Sequence, residues 1–364
     1  PMRTSSPTGS DPDAVPPTAW GICSSGATGN PKVILTTRSG VWHDAYGMEI
    51  IELWRPLPRP QTLLVPAPLY HANAFTTLNN LLAGDRLVVL TRFDEATVLT
   101  AVEQFGVTAF RATPTMLQRI ADHPAADTTD WSGLHHVVQG AAPMPSSLAR
   151  RWIELVGGDQ LLMAYGMTEG LGVTGLLGSE WLEHPGSVGR GIRGTEVSIR
   201  DDQGSPVPAG TIGDVYLRTP SGANHRYLGA DALDPTDDGF RTVGDLGHVD
   251  PDGYLYLSDR RVDMIVTGGA NVFPAEVEAA LIDHPGVADI VVVGLRDDRW
   301  GRRVHAIVEP SSHHDRPTEG EIIAHARERL SPYKLPKTVE FVDRLPRTEA
   351  TKINRRTLVD ERGG

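Results

Sequence analysis

The nine residues Ser24-Ser25-Gly26-Ala27-Thr28-Gly29-Asn30-Pro31-Lys32 carry the most information about the fold of this chain. Glycine lets backbone N–H groups approach an anion closely, while hydroxyls and a terminal lysine supply further donors and a positive charge. The spacing differs from the Walker pattern, because only two residues separate Gly26 from Gly29 and a proline precedes Lys32. The segment predicts a phosphate-binding loop, and a solvated Gly/Ser turn is the alternative.

Five further motifs follow this loop along the chain. They are Gly140-Ala141-Ala142-Pro143, Tyr165-Gly166-Met167-Thr168-Glu169, Val243-Gly244-Asp245, the stretch from Leu257 to Glu278, and the stretch from Leu345 to Arg355. Their order resembles that of the adenylate-forming enzymes, the superfamily of acyl-CoA synthetases, luciferases and peptide-synthetase adenylation domains. The resemblance covers nearly the whole chain and is nearest to the acyl-CoA ligase branch.

The order of apolar patterns predicts the fold class. Short apolar runs such as 62–65 and 86–90 alternate with helical patterns such as 94–105, which predicts parallel strands with crossover helices. Between residues 195 and 257 the pattern changes to alternating strands around glycine-rich turns, which predicts a smaller antiparallel β subdomain. We therefore expect an α/β large domain, and after it a small α+β C-terminal domain that the resemblance implies is mobile.

The domain boundaries follow from the same patterns. Residues 1–18 are rich in Pro, Ser, Thr and Asp and predict a disordered tail or a lid. We expect the adenylate-binding domain at residues 19–259 and the mobile C-terminal domain at residues 260–364. The phosphate loop begins closer to the start of this sequence than in the family, so the first domain is expected to be shortened.

The composition of the chain restricts the classes of partner that it is expected to bind. The chain has 34 basic and 46 acidic residues and a formal charge of −12, a balance that predicts neither a nucleic-acid nor an anionic-membrane partner. Cys23, the single cysteine, excludes an intramolecular disulfide and fits a reducing compartment. No apolar run approaches the roughly 20 residues of a membrane span. We expect a cytoplasmic protein in which Cys23 is a small buried residue rather than a nucleophile.

The resemblance implies roles for the nucleotide motifs. Thr168 is expected to contact the α-phosphate, Glu169 to bind Mg²⁺, and Asp245 to accept from both ribose hydroxyls. The other nucleotide-binding candidates are Ser24, Ser25, Gly26, Thr28, Lys32, Gly140, Ala141, Ala142, Tyr165, Gly166 and Arg260. The alternatives are a helix N-cap with its first-turn acid for Thr168 and Glu169, and a turn aspartate for Asp245.

Catalytic and acyl-binding roles are also implied by the resemblance. Lys352 matches the lysine that bridges the acyl carboxylate and the α-phosphate, and a solvated surface lysine is the alternative. His71 matches a histidine at the mouth of the acyl pocket, and a structural histidine is the alternative. Gly170 and Gly172 leave room for the acyl group, which favours a bulky hydrophobic acid.

Coenzyme A binding is expected at Gly268, Gly269 and Ala270. Two glycines remove the side-chain obstacle to a long flexible thiol arm, and the resemblance places the pantetheine there. A tight turn before the helix that starts at Pro274 is the other interpretation, and the two are compatible.

These motifs predict an acid–CoA ligase that binds an acyl adenylate and transfers the acyl group to CoA, with ATP and Mg²⁺ used if the adenylate is made on this chain. Departures from the family, including Ala27 in place of a hydroxyl and Thr351 in place of glycine, leave that adenylation step open. The alternatives are a thioesterification-only ligase fed by a separate adenylating enzyme, an adenylation enzyme that loads a carrier protein, and a non-catalytic adenylate-binding protein. The sequence leaves the acid and the oligomeric state undetermined.

Overall fold

A computed structural model of the chain describes residues 20–24, 32–37, 49–70, 74, 76–220, 222, 225–228, 234–260, 263–311, 314–347 and 353–364. The backbone alone is described at residues 23, 24, 32, 259 and 260.

A seven-stranded sheet forms the centre of the first part of the chain. In spatial order its strands are β4 (Arg86–Val89), β3 (Thr62–Val65), β5 (Ala109–Ala112), β6 (His136–Gln139), β7 (Leu161–Gly166), β8 (Val173–Leu177) and β9 (Arg190–Gly191). Neighbouring strands from β4 to β7 run parallel, whereas β8 and β9 are antiparallel to their neighbours. Strands β3 and β6 are buried along their whole length, as is typical of a parallel sheet that is covered on both faces.

Helices pack against this sheet and complete its core. Those in the described residues are α1 (Leu78–Leu82), α2 (Glu95–Phe105), α3 (Pro114–Asp122), α4 (Ser146–Val156) and α5 (Gly178–Glu183). Helix α2 is preceded by Asp94, whose carboxylate accepts from Thr97 N at 2.8 Å, and is followed by Gly106, which has a φ of 59°. The fully buried indole of Trp152 in α4 lies edge-on to Phe110 of β5 and to Trp131 of the segment before β6, which joins a helix, a strand and a connecting segment in one core.

Two antiparallel sheets accompany the central one. The larger has the order β10 (Glu196–Arg200), β11 (Gly213–Arg218), β13 (Arg241–Val249) and β14 (Leu255–Arg260). The smaller has the order β1 (Gly21–Ser24), β2 (Lys32–Thr36) and β12 (His225–Leu228). The predicted α/β fold with an antiparallel β subdomain is therefore confirmed.

The last hundred residues form a separate hydrophobic core. A hairpin, β15 (Ile265–Thr267) and β16 (Ala270–Val272), precedes a sheet in the order β17 (Val287–Asp297), β18 (Gly301–Pro310) and β19 (Thr338–Phe341). Helices α6 (Pro274–Ile282), α7 (Glu319–Arg327) and α8 (Arg355–Asp360) belong to this unit. Helix α6 starts with proline at its first position, as predicted. The expected boundary at residue 260 stays a prediction.

No helix within the described ranges combines the length and the apolar character needed to cross a bilayer.

Candidate functional site

The carboxyl ends of β6 and β7 bring two of the predicted motifs together. Residues Gly140–Ala142 directly follow β6, and Tyr165 and Gly166 end the neighbouring parallel strand β7. A Cβ added at Gly140 would lie 3.4 Å from the carbonyl oxygen of Ala164, so the backbones of the two motifs approach closely. Because carboxyl ends of parallel strands meet at one edge of a sheet, this edge is a typical position for a ligand.

The turn after β6 has an unusual backbone. Ala141 has a φ of 74°, in the left-handed region that residues with a Cβ rarely adopt. The side chain of Gln139 donates from Nε2 to the carbonyl oxygen of Ala142 at 2.7 Å and closes the turn. A strained backbone conformation of this kind persists only where the surrounding structure stabilises it. Such residues are concentrated at functional sites.

Asp245 reaches the same edge from the antiparallel sheet. The phenol of Tyr165 donates to Asp245 Oδ2 at 2.5 Å, across 80 residues of sequence. Asp245 lies within β13 and pairs in register with Arg260 of β14, so the alternative of a turn aspartate is wrong. The side chain of Arg260 lies outside the description, but its backbone is directly opposite Asp245. We call Gly140–Ala142, Tyr165–Glu169 and Asp245 the strand-end face.

Thr168 and Glu169 lie in the turn between β7 and β8. Gly170 N donates to Met167 O at 2.9 Å, and Gly170 has a φ of 65°, which closes a tight turn. No helix starts here, since the chain enters strand β8 at Val173, and the alternative of a helix N-cap is therefore wrong. Both side chains are partly buried.

Gly172 has a packing explanation. A Cβ at this position would lie 2.7 Å from Cγ2 of Thr195 and 3.1 Å from the side chain of Leu217. The missing side chain therefore lets the turn pack against the antiparallel sheet. At Gly170 a Cβ would meet no described atom within 4 Å. The acyl-pocket role of both glycines stays a prediction.

Two residues that the sequence analysis did not select also lie at this turn. Tyr227 donates from its hydroxyl to Glu169 Oε1 at 3.0 Å, and His225 is buried on the same strand, two residues earlier. Burial, together with the charge of Glu169, raises the pKa of Tyr227. Burial lowers the pKa of His225, although the charge and backbone of Glu169 act in the opposite direction. The sequence signal was weak, since His225–Leu228 is a four-residue strand.

The phosphate loop is the connection of a hairpin. Strands β1 and β2 are antiparallel, and Ser24 pairs in register with Lys32 at the two ends of the loop. Ser25, Gly26 and Thr28 lie outside the described residues, as do the side chains of Ser24, Lys32 and Cys23. The phosphate contacts therefore stay a prediction, but the hairpin fixes where the loop begins and ends.

The predicted CoA motif forms a two-residue hairpin turn. Gly268 and Gly269 have φ values of 56° and 81°, and Thr267 pairs with Ala270 across the turn. Positive φ at both central positions is the geometry that favours Gly-Gly. A Cβ at Gly268 would lie 2.7 Å from the ring of Trp300, whereas a Cβ at Gly269 would meet no described atom within 4 Å. The turn is therefore confirmed, and its open side is at Gly269.

Lys352 and His71 lie outside the described residues. The segment that carries Lys352 is flanked by two arginines in ion pairs. Arg347 donates from Nη2 to Asp289 Oδ1 at 2.7 Å. Arg355 donates from Nη2 to both carboxylate oxygens of Glu278, at 2.7 and 2.8 Å, and from Nη1 to Asp263 at 3.3 Å. The two ends of the segment are thus attached to the core of the small unit.

Comparison with known families agrees with this arrangement. A family model described as "AMP-binding enzyme" matches residues 8–227, and one described as "AMP-binding enzyme C-terminal domain" matches residues 276–352. The first match includes the strand-end face except Asp245, and the second ends at Lys352.

Individual relatives extend the comparison. The chain is 38% identical to a feruloyl-CoA synthase from Amycolatopsis over 333 residues, which cover 90% of this chain and 67% of the relative. It is 33% identical to a 2-succinylbenzoate–CoA ligase from Bacillus cereus, with 93% and 69% covered. The structure of o-succinylbenzoate CoA synthetase from Bacillus subtilis in complex with the acyl-adenylate intermediate superposes with a TM-score of 0.80, at 29% identity, over 95% of this chain and 70% of that one.

Proposed function

The chain belongs to the AMP-binding enzyme family, in its acyl-CoA synthetase branch, and from this premise we propose that it joins a carboxylic acid to coenzyme A through an enzyme-bound acyl adenylate. Enzymes of this branch use ATP, CoA and Mg²⁺. Adenylation on this chain, and not only thioester formation from a supplied adenylate, is part of the proposal.

The strand-end face supports the nucleotide part of this proposal. The Asp245 carboxylate accepts a hydrogen bond from the phenol of Tyr165, and we propose that it also accepts from the ribose hydroxyls, since a carboxylate can accept several hydrogen bonds. Gly140–Ala142 form the neighbouring strained turn, on which the adenine would stack. Phosphate contacts are assigned to Thr168 and to the loop between Ser24 and Lys32.

Glu169 fits a magnesium site. Mg²⁺ prefers oxygen ligands and is usually held by one or two carboxylates together with substrate phosphates. The Glu169 carboxylate lies in the turn beside the strand-end face, where Tyr227 occupies Oε1. The ion would neutralise charge on the phosphate oxygens, and the contribution of this chain is to hold the carboxylate in place.

The proposed reaction has two steps. A carboxylate oxygen of the acid attacks the α-phosphorus of ATP, the bond to the bridging oxygen breaks, and pyrophosphate leaves. The CoA sulfur then attacks the acyl carbonyl, AMP leaves with the electrons of the broken C–O bond, and the thiol proton passes to solvent. Lys352 is proposed to balance charge in the first step, because two anions approach each other there.

We propose an aromatic carboxylic acid as the substrate class. This is supported by the names of three relatives at 32–38% identity, a feruloyl-CoA synthase, a 2-succinylbenzoate–CoA ligase and an indoleacetate–CoA ligase. The cytoplasmic location and the absence of a nucleic-acid partner stay predictions.

The contact between Tyr165 and Asp245 is the observation that carries the proposal, because it joins two nucleotide motifs that are 80 residues apart. The test incubates the protein with ATP, Mg²⁺, CoA and ferulate, 2-succinylbenzoate or indoleacetate, and measures pyrophosphate, AMP and thioester separately. Stoichiometric formation of all three products with at least one acid is expected.

Each of the other outcomes would indicate a different function for this protein. Thioester formation only from a synthetic acyl adenylate would indicate a thioesterification-only ligase. Pyrophosphate release without a CoA thioester would favour a carrier protein as the acceptor. Binding of the adenylate without either product would leave a non-catalytic adenylate-binding protein.

A further inference from the structure

Strand β12 connects two parts of the proposed nucleotide site. It pairs with β2 in antiparallel register, with His225 opposite Thr36 and Tyr227 opposite Ile34. Strand β2 in turn starts at Lys32, which pairs with Ser24 at the ends of the phosphate loop. The strand that supports the loop hairpin is therefore also the strand whose side chains contact Glu169.

His225 and Tyr227 share one face of this strand, because alternate residues of a β-strand point to the same side. Their rings are in edge contact, with centroids 5.3 Å apart and an angle of 77° between the planes. His225 is 8% exposed and lies close to the Glu169 backbone, and the phenol of Tyr227 contacts the Glu169 carboxylate. His225 and Tyr227 thus contact both the backbone and the side chain of Glu169.

The hydrogen bond from Tyr227 has a specific geometric effect. The phenol occupies Oε1 of Glu169 at 3.0 Å. With Oε1 engaged by the phenol, Oε2 would serve as the ligand atom. A carboxylate that is fixed before the metal arrives loses less rotamer entropy when it binds.

We propose that Tyr227 is a positioning residue that orients Glu169 as a single-oxygen ligand for the magnesium ion of the ATP complex, and that β12 joins this ligand to β2, the strand that starts at Lys32. This rests on the proposed function.

The chain offers a matched control. Tyr254 donates from its hydroxyl to Glu180 Oε1 at 3.1 Å, a tyrosine–glutamate pair of nearly the same geometry outside the strand-end face. Tyr227→Phe and Tyr254→Phe each remove one hydroxyl and keep the ring. Glu180 keeps a hydrogen bond from Leu177 N at 2.8 Å in the control variant, so Tyr254→Phe controls for loss of a hydroxyl from a tyrosine–glutamate pair. Thermal unfolding of both variants measures any loss of stability.

The experiment follows metal binding directly. Mn²⁺ binding to the protein in the presence of ATP is titrated by electron paramagnetic resonance, and the Mg²⁺ dependence of pyrophosphate release is measured in parallel. For Tyr227→Phe we expect about a tenfold weaker apparent affinity for both metals, which corresponds to about 1.4 kcal/mol. Thioester formation from a supplied acyl adenylate should stay within about twofold of the wild type, and Tyr254→Phe should match the wild type in every assay.

A double variant makes the test more specific. If Tyr227 acts through Glu169, its effect should disappear in a Glu169→Gln background, since the residue that it orients is already changed. Equal metal affinity in wild type and Tyr227→Phe would overturn the inference, as would an undiminished effect of Tyr227→Phe in the Glu169→Gln background. A wild-type protein that binds Mn²⁺ with ATP but releases no pyrophosphate would contradict the proposed adenylation step. The role of Tyr227 would still be tested, because the metal titration does not depend on that step.

Discussion

The strand-end face and the small unit use polar side chains in different ways. At the strand-end face each acid is contacted by a neutral phenol, Tyr165 at Asp245 and Tyr227 at Glu169. In the small unit the acids Asp289 and Glu278 are paired with the guanidinium groups of Arg347 and Arg355.

We infer from this difference that the acids of the strand-end face bind ligands, whereas those of the small unit stabilise the fold. A phenol donates a single hydrogen bond to one carboxylate oxygen, whereas a carboxylate can accept about four. A bidentate guanidinium uses both oxygens and neutralises the charge. We therefore expect substitutions at the strand-end face to change ligand binding more than stability, and substitutions of the arginines to change stability first.

The largest effect is expected at Lys352, the residue that the two arginines flank. Lys352→Ala should lower the rate of acyl-adenylate formation by on the order of 10² to 10³, because a transition-state charge contact is lost. Thioester formation from a supplied acyl adenylate should be nearly unchanged. Lys337→Ala, at an exposed position of the same unit, is the control. Equal loss in both half-reactions would contradict the assignment of Lys352 to the first step alone.

A smaller effect is expected from the loss of an ion pair. Arg355→Ala leaves the partly buried Glu278 without its bidentate partner, and we expect a loss of about 2 to 3 kcal/mol in the free energy of unfolding, below the range for fully buried pairs. The neighbouring Arg356 lies 3.9 Å from Asp360, and both side chains are 67% exposed, so Arg356→Ala should cost much less. Urea unfolding of both variants measures the difference in their free energies of unfolding. Equal midpoints would contradict the inference that the arginine ion pairs stabilise the small unit.

The smallest effect is expected at the Gly268–Gly269 turn. A leucine at Gly269 would be strained, since φ is 81° there, so Gly269→Asn is the better substitution because asparagine tolerates this region. If pantetheine passes the open side of the turn, the KM for CoA should rise about tenfold, or about 1.4 kcal/mol. Gly204→Asn, at a φ of 77° with open space around it, is the control. A normal KM in a folded Gly269→Asn protein would place the CoA arm elsewhere.

The sequence predicted most of the fold and the grouping of the motifs. The apolar patterns located β3 and α2 to within one residue, because their burial follows simple strand and helix patterns. Proline at the first helical position located the start of α6. The parallel pairing of β19 with β18 was not predicted, since Thr338–Phe341 is only half-buried and its partner lies about 30 residues earlier.

At the candidate site the sequence selected residues by motif and could not supply their contacts. The pairing of Tyr165 with Asp245 and the approach of β12 to Glu169 depend on tertiary packing between distant segments. A helix cap was an alternative for Thr168 and Glu169, and a turn was an alternative for Asp245. These residue types occur in caps and turns as well as in binding sites. Strand geometry removed those alternatives.

The central claim is that Asp245 and its neighbours form an adenylate site, and calorimetry with a non-reactive acyl-adenylate analogue tests it most directly. The wild type should bind one equivalent, and Asp245→Ala should bind more weakly by about 2 kcal/mol with little change in melting temperature, since a charged acceptor for the ribose is lost. Equal affinity in the two proteins, or no binding to the wild type, would contradict the account.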